Sequence, residues 1–309
     1  MLAGHIYIYR MKNVSIIAVC YNQVQYVIDT LNSIKAQTYP HIQLIIADDG
    51  STDGSKEMIQ EWIQANDPSV VFISHKTNLG LTKNINSALP HIKGDYFQVF
   101  GCDDLMLPDK ISTQIKILET NKNAGVVYSD MQMIDKNAVD LSYTYYEKHL
   151  YKQPFSGDHY ESLINRIIIA APTVLIKTEV LKKTGNYNEQ LDYEDYDFFL
   201  RAAKYYTFIY ESSVTVRYRV LETSLSNYNI YPVKYFKNLF IVMYCNYDKR
   251  KNYRKLFNDK LLFCIKNLYS LRYSHAPFLF FKALLKTKDM RMVKYSAASL
   301  QFLFTGRKA

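Results

Sequence analysis

The chain has 309 residues, 48% of them apolar, with 38 Lys and Arg against 29 Asp and Glu and a formal net charge of +9. That apolar content excludes a disordered chain, and the length suffices for one large domain with an appendage. The charge is uneven: residues 231–309 hold 17 basic and 3 acidic residues, a formal +14, while the part before them carries −5.

Taken in order, residues 1–11 (MLAGHIYIYRM) lack the charged start, apolar core and cleavage site of a signal peptide, so they read as an extension of a cytoplasmic protein. Residues 14–19 (VSIIAV) and 44–47 (LIIA) are short Ile/Val-rich runs, the pattern of strands buried on both faces. Between them Val24, Val27, Ile28, Leu31 and Ile34 fall at helical spacing, and a turn signal at Thr38 to Pro40 closes a βαβ unit. The second run ends in ADDGSTDGS, where Thr52, Asp53 or Ser55 is placed to cap a helix through Met58, Ile59, Trp62 and Ile63. Strands at residues 70–74 and 96–100 complete the alternation. The expected fold class is α/β: an open, Rossmann-like, mostly parallel sheet flanked by helices. Ligands of such sheets bind beyond the carboxyl ends of the strands, which is where Tyr21, Asp49, Asp103 and Asp104 gather.

In QVFGCDDLMLP the adjacent Asp103 and Asp104 follow the fourth strand. Two neighbouring carboxylates repel, so burying both calls for a cation or hydrogen-bond donors, and the alternative is a solvated turn. In LDYEDYDFFLRAA the run from Phe198 to Ala203 reads as a buried helix with Glu194, Asp195 and Asp197 at its acidic start. The helix dipole alone favours acids there, and a proton acceptor at the crevice is the other reading. Arg217 and Arg219 alternate with Tyr218 on a strand, so one face presents two cations for phosphate or for solvent.

The basic end of the chain is also aromatic. VKYFKNLFIVMYCNY, KLFNDKLLFCIKNLYSL, PFLFFKALLKT and RMVKYSAASLQFLF place Leu, Phe, Ile and Tyr between lysines at helical spacing, which predicts three or four amphipathic helices. They either pack on the part of the chain before them or lie on an anionic membrane surface. No apolar run reaches the ~18 residues of a spanning helix, and no nucleic-acid-binding motif accompanies the basic charge. Cys20, Cys102, Cys245 and Cys264 lack metal-ligand spacing and read as free thiols.

VSIIAVCYNQVQYVIDTLNSIKAQTYPHIQLIIADDGSTDGS, NLGLTKNINSAL, GDYFQVFGCDDLMLPDKI and EDYDFFLRA occur in that order, and together they resemble a family-2 glycosyltransferase of the GT-A fold, of the bacterial surface-polysaccharide type. The resemblance implies a catalytic domain over residues 12–226 and a separate helical region over residues 227–309. It places Val19, Tyr21 and Asp49 around the nucleobase and ribose of a nucleotide-sugar donor, a UDP-sugar above others, with Asp103 toward the ribose and Lys83 toward the diphosphate. Asp104 becomes the ligand of a divalent cation, Mn2+ or Mg2+, and Asp195 the base of an inverting, non-processive transfer. The implied acceptor is a glycan on a polyprenyl diphosphate carrier, in O-antigen or capsule synthesis, at the inner face of the membrane.

The chain departs from the family's pattern in three places. Gly101 stands where many members carry an Asp, Ile85 where many carry an Arg, and Leu221 where many carry a His, which leaves the metal without an expected third protein ligand. A glycoside hydrolase also uses two carboxylates but needs no nucleotide motif, and a sugar-nucleotide pyrophosphorylase would open with a glycine-rich basic loop. Processive synthases carry a Gln-x-x-Arg-Trp motif, whereas Trp62 is the one tryptophan here. A non-catalytic, membrane-associated nucleotide-sugar-binding module is the remaining alternative.

Overall fold

The computed structural model describes residues 11–149, 153–221 and 231–292. The extension before residue 11, residues 222–230 and most of the last predicted amphipathic stretch, RMVKYSAASLQFLF, therefore lie outside the described residues. Strands β1 (Val14–Cys20), β2 (Ile42–Asp48) and β3 (Val71–Ser74) alternate with helices α1 (Val27–Lys35), α2 (Ser55–Asn66) and α3 (Leu81–Ala88), and β4 (Tyr96–Gly101) follows. β1 lies between β2 and β4, all parallel, and Val14, Ile16, Ile17 and Ala18 are fully buried between the two helical layers. α1 starts at Val27, three residues after the first apolar position. The reason is local: the Gln23 and Val24 N–H groups donate to Ser55 Oγ and Asp53 Oδ2, so residues 23–26 form a turn docked on the next loop.

The second half changes direction. β5 (Leu105–Met106), α4 (Lys110–Thr120), β6 (Ala124–Ile134), β7 (Asp140–Thr144), α5 (Tyr145–Lys148), α6 (Tyr160–Asn165), β8 (Leu175–Lys177), α7 (Thr178–Thr184), α8 (Asp195–Ala202) and β9 (Thr207–Arg219) extend the sheet in the order β3-β2-β1-β4-β8-β6-β9-β5, with β7 beside β6. β8 runs antiparallel to both neighbours, while β6 and β9 are parallel. Under this join Lys110 is buried, its Nζ donating to Gln98 Oε1, Gln114 Oε1 and the Val174 carbonyl at 2.6, 2.7 and 3.1 Å. Burial without a counter-charge pushes its amine well below the usual lysine range. The three acceptors tie β4, α4 and the start of β8 together.

Helices α9 (Pro232–Cys245), α10 (Lys251–Ser270) and α11 (Ala276–Thr287) follow. They share a core with the catalytic part: Leu239, Met243, Phe257, Leu261 and Phe280 join the cluster of Phe198, Phe199 and Phe208. Polar contacts fix the seam. Asn238 and Asp192 exchange two 2.8 Å hydrogen bonds, and Asn246 Nδ2 donates to Asp197 Oδ1 at 2.6 Å. Among the described residues no helix is long and apolar enough to cross a membrane.

Candidate active site

The carboxyl ends of β2, β1 and β4 stand side by side and build one rim. Val19 is in register with Ala47 on one side and Gly101 on the other; the Asp49 N–H donates to the Cys20 carbonyl and the Cys102 N–H to the Val19 carbonyl. Tyr21, one residue past β1, is 46% exposed at this rim. Asn22 turns the chain at φ 53°, and its side chain accepts from the Thr52 N–H while its own N–H donates to Ser51 Oγ. Asp48 accepts from both the N–H and the hydroxyl of Ser51, so its carboxylate shapes the turn.

Asp49 is buried, and its two oxygens accept from the Leu79 and Gly80 N–H groups at 2.8 and 2.9 Å. This pins the loop before α3 against the turn after β2. Gly50 is required there: its φ is +71°, and an added Cβ would fall 2.6 Å from the Thr77 carbonyl carbon. Lys83 is exposed on the first turn of α3.

Asp103 and Asp104 follow β4. Asp104 is buried; its Oδ1 accepts from the Arg219 N–H at 2.9 Å, and its carbonyl accepts from the Thr30 hydroxyl at 2.7 Å. A Cβ on Gly101 would lie 2.7 Å from Asp103 Oδ1, so the space of the missing side chain is filled by Asp103's own carboxylate. Burial raises both carboxyl groups above the usual range, Asp104 well above it because the Asp103 charge adds to the effect; Arg219 works in the opposite direction. Two hard oxygen donors whose charges are poorly compensated suit a divalent cation. Among the described residues no three His, Cys, Asp or Glu side chains gather to hold one by themselves.

The strand cations are both engaged by protein groups. Arg217 pairs with Asp140 at 2.7 Å and donates to the Ala138 carbonyl. Arg219 is buried, donating through Nε to the Asp103 carbonyl at 2.8 Å and through Nη1 to the Lys136 carbonyl at 2.8 Å, with its guanidinium 4.3 Å from the Tyr26 ring centre. It braces the acidic loop from behind. The alternation in VRYRV located the strand, but only the tertiary fold shows where its cations end.

Asp195 opens α8 and is half-buried, with Oδ1 accepting from the Tyr196 N–H at 2.7 Å. The loop ahead of it is stitched to α3: the Thr82 hydroxyl donates to the Leu191 carbonyl, and Asn86 exchanges hydrogen bonds with the Tyr187 backbone. Through Leu79, Gly80 and Thr82, the loop carrying Asp195 is thus linked to Asp49. Asp197 is a structural acid, buried and held by Arg201 at 2.8 Å and by Asn246. Burial and the neighbouring Asp195 charge push the Glu194 carboxyl up to about 8. Asn86, Asn238 and Arg219 carried no signal in the sequence for these roles, because each acts across more than 40 residues of chain. Beside this loop Asp192, Tyr231, Lys234, Lys237 and Tyr273 line an open cleft of about 510 Å³ between α8's approach and the C-terminal helices.

Comparison with known proteins covers most of these elements. Residues 15–185 match the family described as Glycosyl transferase family 2. An uncharacterized glycosyltransferase of Rickettsia typhi is 30% identical over 216 residues, 69% of this chain and 66% of that one, and one of Methanocaldococcus jannaschii is 29% identical over 212 residues, 67% and 70%. The matched stretch thus spans about two thirds of the length of these relatives. Among solved structures, S. aureus TarS 1-349 in complex with UDP superposes with a TM-score of 0.64 at 18% identity, covering 94% of this chain and 85% of that chain. The mannosyltransferase PcManGT from Pyrobaculum calidifontis, in complex with GDP-Man and Mn2+, gives 0.61 at 14% identity, covering 96% and 86%. These likenesses show the fold, GT-A. The family match runs from β1 to the end of α7 and the superpositions extend over the remainder, so the chain belongs to glycosyl transferase family 2 and is a glycosyltransferase.

Proposed function

We propose that the enzyme is an inverting transferase that moves a single sugar from a UDP-sugar, with a divalent cation, to a glycan acceptor carried on a polyprenyl diphosphate at the inner membrane face. The observation that carries this reading is the contrast between the two acidic pairs. Asp104 keeps one oxygen on the Arg219 N–H and leaves the other beside Asp103 over Gly101, a donor set suited to a cation. When bound, Mn2+ or Mg2+ supplies charge that stabilises the departing nucleoside diphosphate.

The chain's own residues do the rest. Tyr21 gives an apolar face to the base, and Val19 lines the floor beneath it. The second lone pairs of the Asp49 carboxylate accept the imide N–H of uracil while the first hold Leu79 and Gly80. Asp103 accepts from the ribose, and Lys83 approaches the diphosphate as a point charge. Glu194, raised to about 8, holds its proton near neutrality, which leaves Asp195 as the acceptor of the acceptor's hydroxyl proton. The oxygen so freed bonds to the anomeric carbon as the bond to the diphosphate breaks on the opposite face, so the product is inverted. The cleft lined by Tyr231, Lys234, Lys237 and Tyr273 is the entry for a glycan attached to an anionic carrier.

TarS is also described in complex with UDP-GlcNAc, which supports a uridine donor, and the PcManGT complex supports the cation. A thermal-shift screen of UDP-, GDP- and dTDP-sugars with and without manganese tests the reading, because a ligand of the folded state raises the melting temperature. Stabilisation by UDP-sugars that requires manganese is expected. No shift with any nucleotide sugar would refute it.

A further inference from the structure

α11 is apolar on two opposite sides. Ala276, Phe280, Ala283 and Thr287 recur at helical spacing and are buried, α11 packing along α10. Phe278, Phe281 and Leu285 fall about half a turn away and are 54%, 54% and 63% exposed. A helix with an apolar stripe toward the core and another left exposed has, among the described residues, no partner on its outer side. At twelve residues it is about 18 Å long, too short for the ~30 Å core of a bilayer but suited to lying in its surface.

Charge identifies the partner. From Lys260 to Lys288 there are six basic and no acidic residues. Lys282 lies along the stripe, its Nζ 4.7 Å from the Phe278 ring centre, so a cation borders the apolar surface. Lys286 is turned inward over Tyr244, 4.1 Å from its ring centre. A second copy docked here through a two-fold axis would set like charges against each other. The run of Lys249, Arg250, Lys251, Arg254 and Lys255 is a poorer anchor: Arg250 is tied to Asp248 and stacked on Tyr160 and Tyr253, and no large apolar residue of that run is among the exposed ones.

We propose that the outward face of α11, formed by Phe278, Phe281 and Leu285 with Lys282 and Lys288, is the surface that binds an anionic lipid bilayer; this rests on the membrane-facing reading given above and narrows it to one helix. Tyr273, three residues before α11, lines the cleft beside Asp192, which connects that surface to the approach of Asp195.

The test uses the full chain and vesicles of phosphatidylcholine with or without phosphatidylglycerol. Wild type sediments with the anionic vesicles and far less with the neutral ones. Phe278→Gln, Phe281→Gln and Leu285→Gln together lower the partition at least about tenfold, while melting temperature and UDP binding in solution stay unchanged because all three side chains are exposed. Lys282→Gln with Lys288→Gln weakens binding at low salt, and the difference vanishes at high salt. Absence of wild-type sedimentation, or equal sedimentation of the triple variant, overturns the proposal. So does a self-associating wild type that the triple variant makes monomeric, which would assign the face to a second copy. Failure of UDP binding with vesicle binding intact would instead count against the catalytic reading and leave this surface standing.

Discussion

Asp103 and Asp104 end the parallel half of the sheet, and Glu194 and Asp195 open α8, so the chain carries two neighbouring-acid pairs on different elements, both assigned to the crevice in the proposed reading. Their surroundings separate them. The first pair has a backbone donor from β9, a buried arginine behind it and the Asp103 carboxylate folded into the side-chain position of Gly101. In the second, Asp195 Oδ1 accepts from the Tyr196 N–H, and burial and the charge of Asp195 push the Glu194 carboxyl up to about 8. In the proposed reading similar residues do different work, a cation at one pair and a proton at the other, because the neighbours decide which charge is tolerated.

The largest effect that would break this contrast is expected from Asp104→Ala. Manganese-dependent donor binding should disappear and transfer should fall by about a thousandfold or more. Asp195→Asn should lower turnover by roughly a hundredfold while UDP affinity is kept, the usual scale for a lost general base. Near-normal transfer at saturating acceptor would remove Asp195 from the role. Arg219→Lys keeps the charge but loses the fork that reaches the Asp103 and Lys136 carbonyls, so a drop of about tenfold in manganese affinity and a lower melting temperature are expected, with the pH optimum of turnover unmoved.

The smallest effect sharpens the contrast through pH. The Glu194 carboxyl loses its proton near 4 to 5 in the unfolded chain and at about 8 in the folded one, so between these values the folded state binds more protons. Its contribution to stability is complete below the lower value and is lost as pH rises through about 8. Glu194→Gln should therefore melt higher than wild type at pH 9 by a few degrees and equally at pH 4, with turnover at pH 7 within about threefold of wild type. Equal melting at both pH values would show that Glu194 titrates normally.

The parallel half was readable because each element carries its own signal. VSIIAV and LIIA become β1 and β2 with one or two residues added at their ends, and the Val24-to-Ile34 spacing becomes α1, shortened by the turn at residues 23–26. The rim positions of Val19, Tyr21, Asp49, Asp103 and Asp104 follow from strand order. What could not be read depends on long-range pairing. β8 has only three residues, too short for a periodic pattern, yet it inserts antiparallel between β4 and β6. Arg219 alternates on a strand like a solvated cation and is instead buried against a loop 116 residues away. The C-terminal helices were legible as amphipathic, but their second apolar stripe becomes meaningful only once α10 is known to cover the first.

The most direct test of the division between the two pairs is calorimetry of UDP with and without manganese on wild type, Asp104→Ala and Asp195→Asn. Manganese-dependent binding is expected in wild type, its loss in Asp104→Ala and its retention in Asp195→Asn. Equal affinity in all three proteins, or loss in Asp195→Asn with retention in Asp104→Ala, would contradict it.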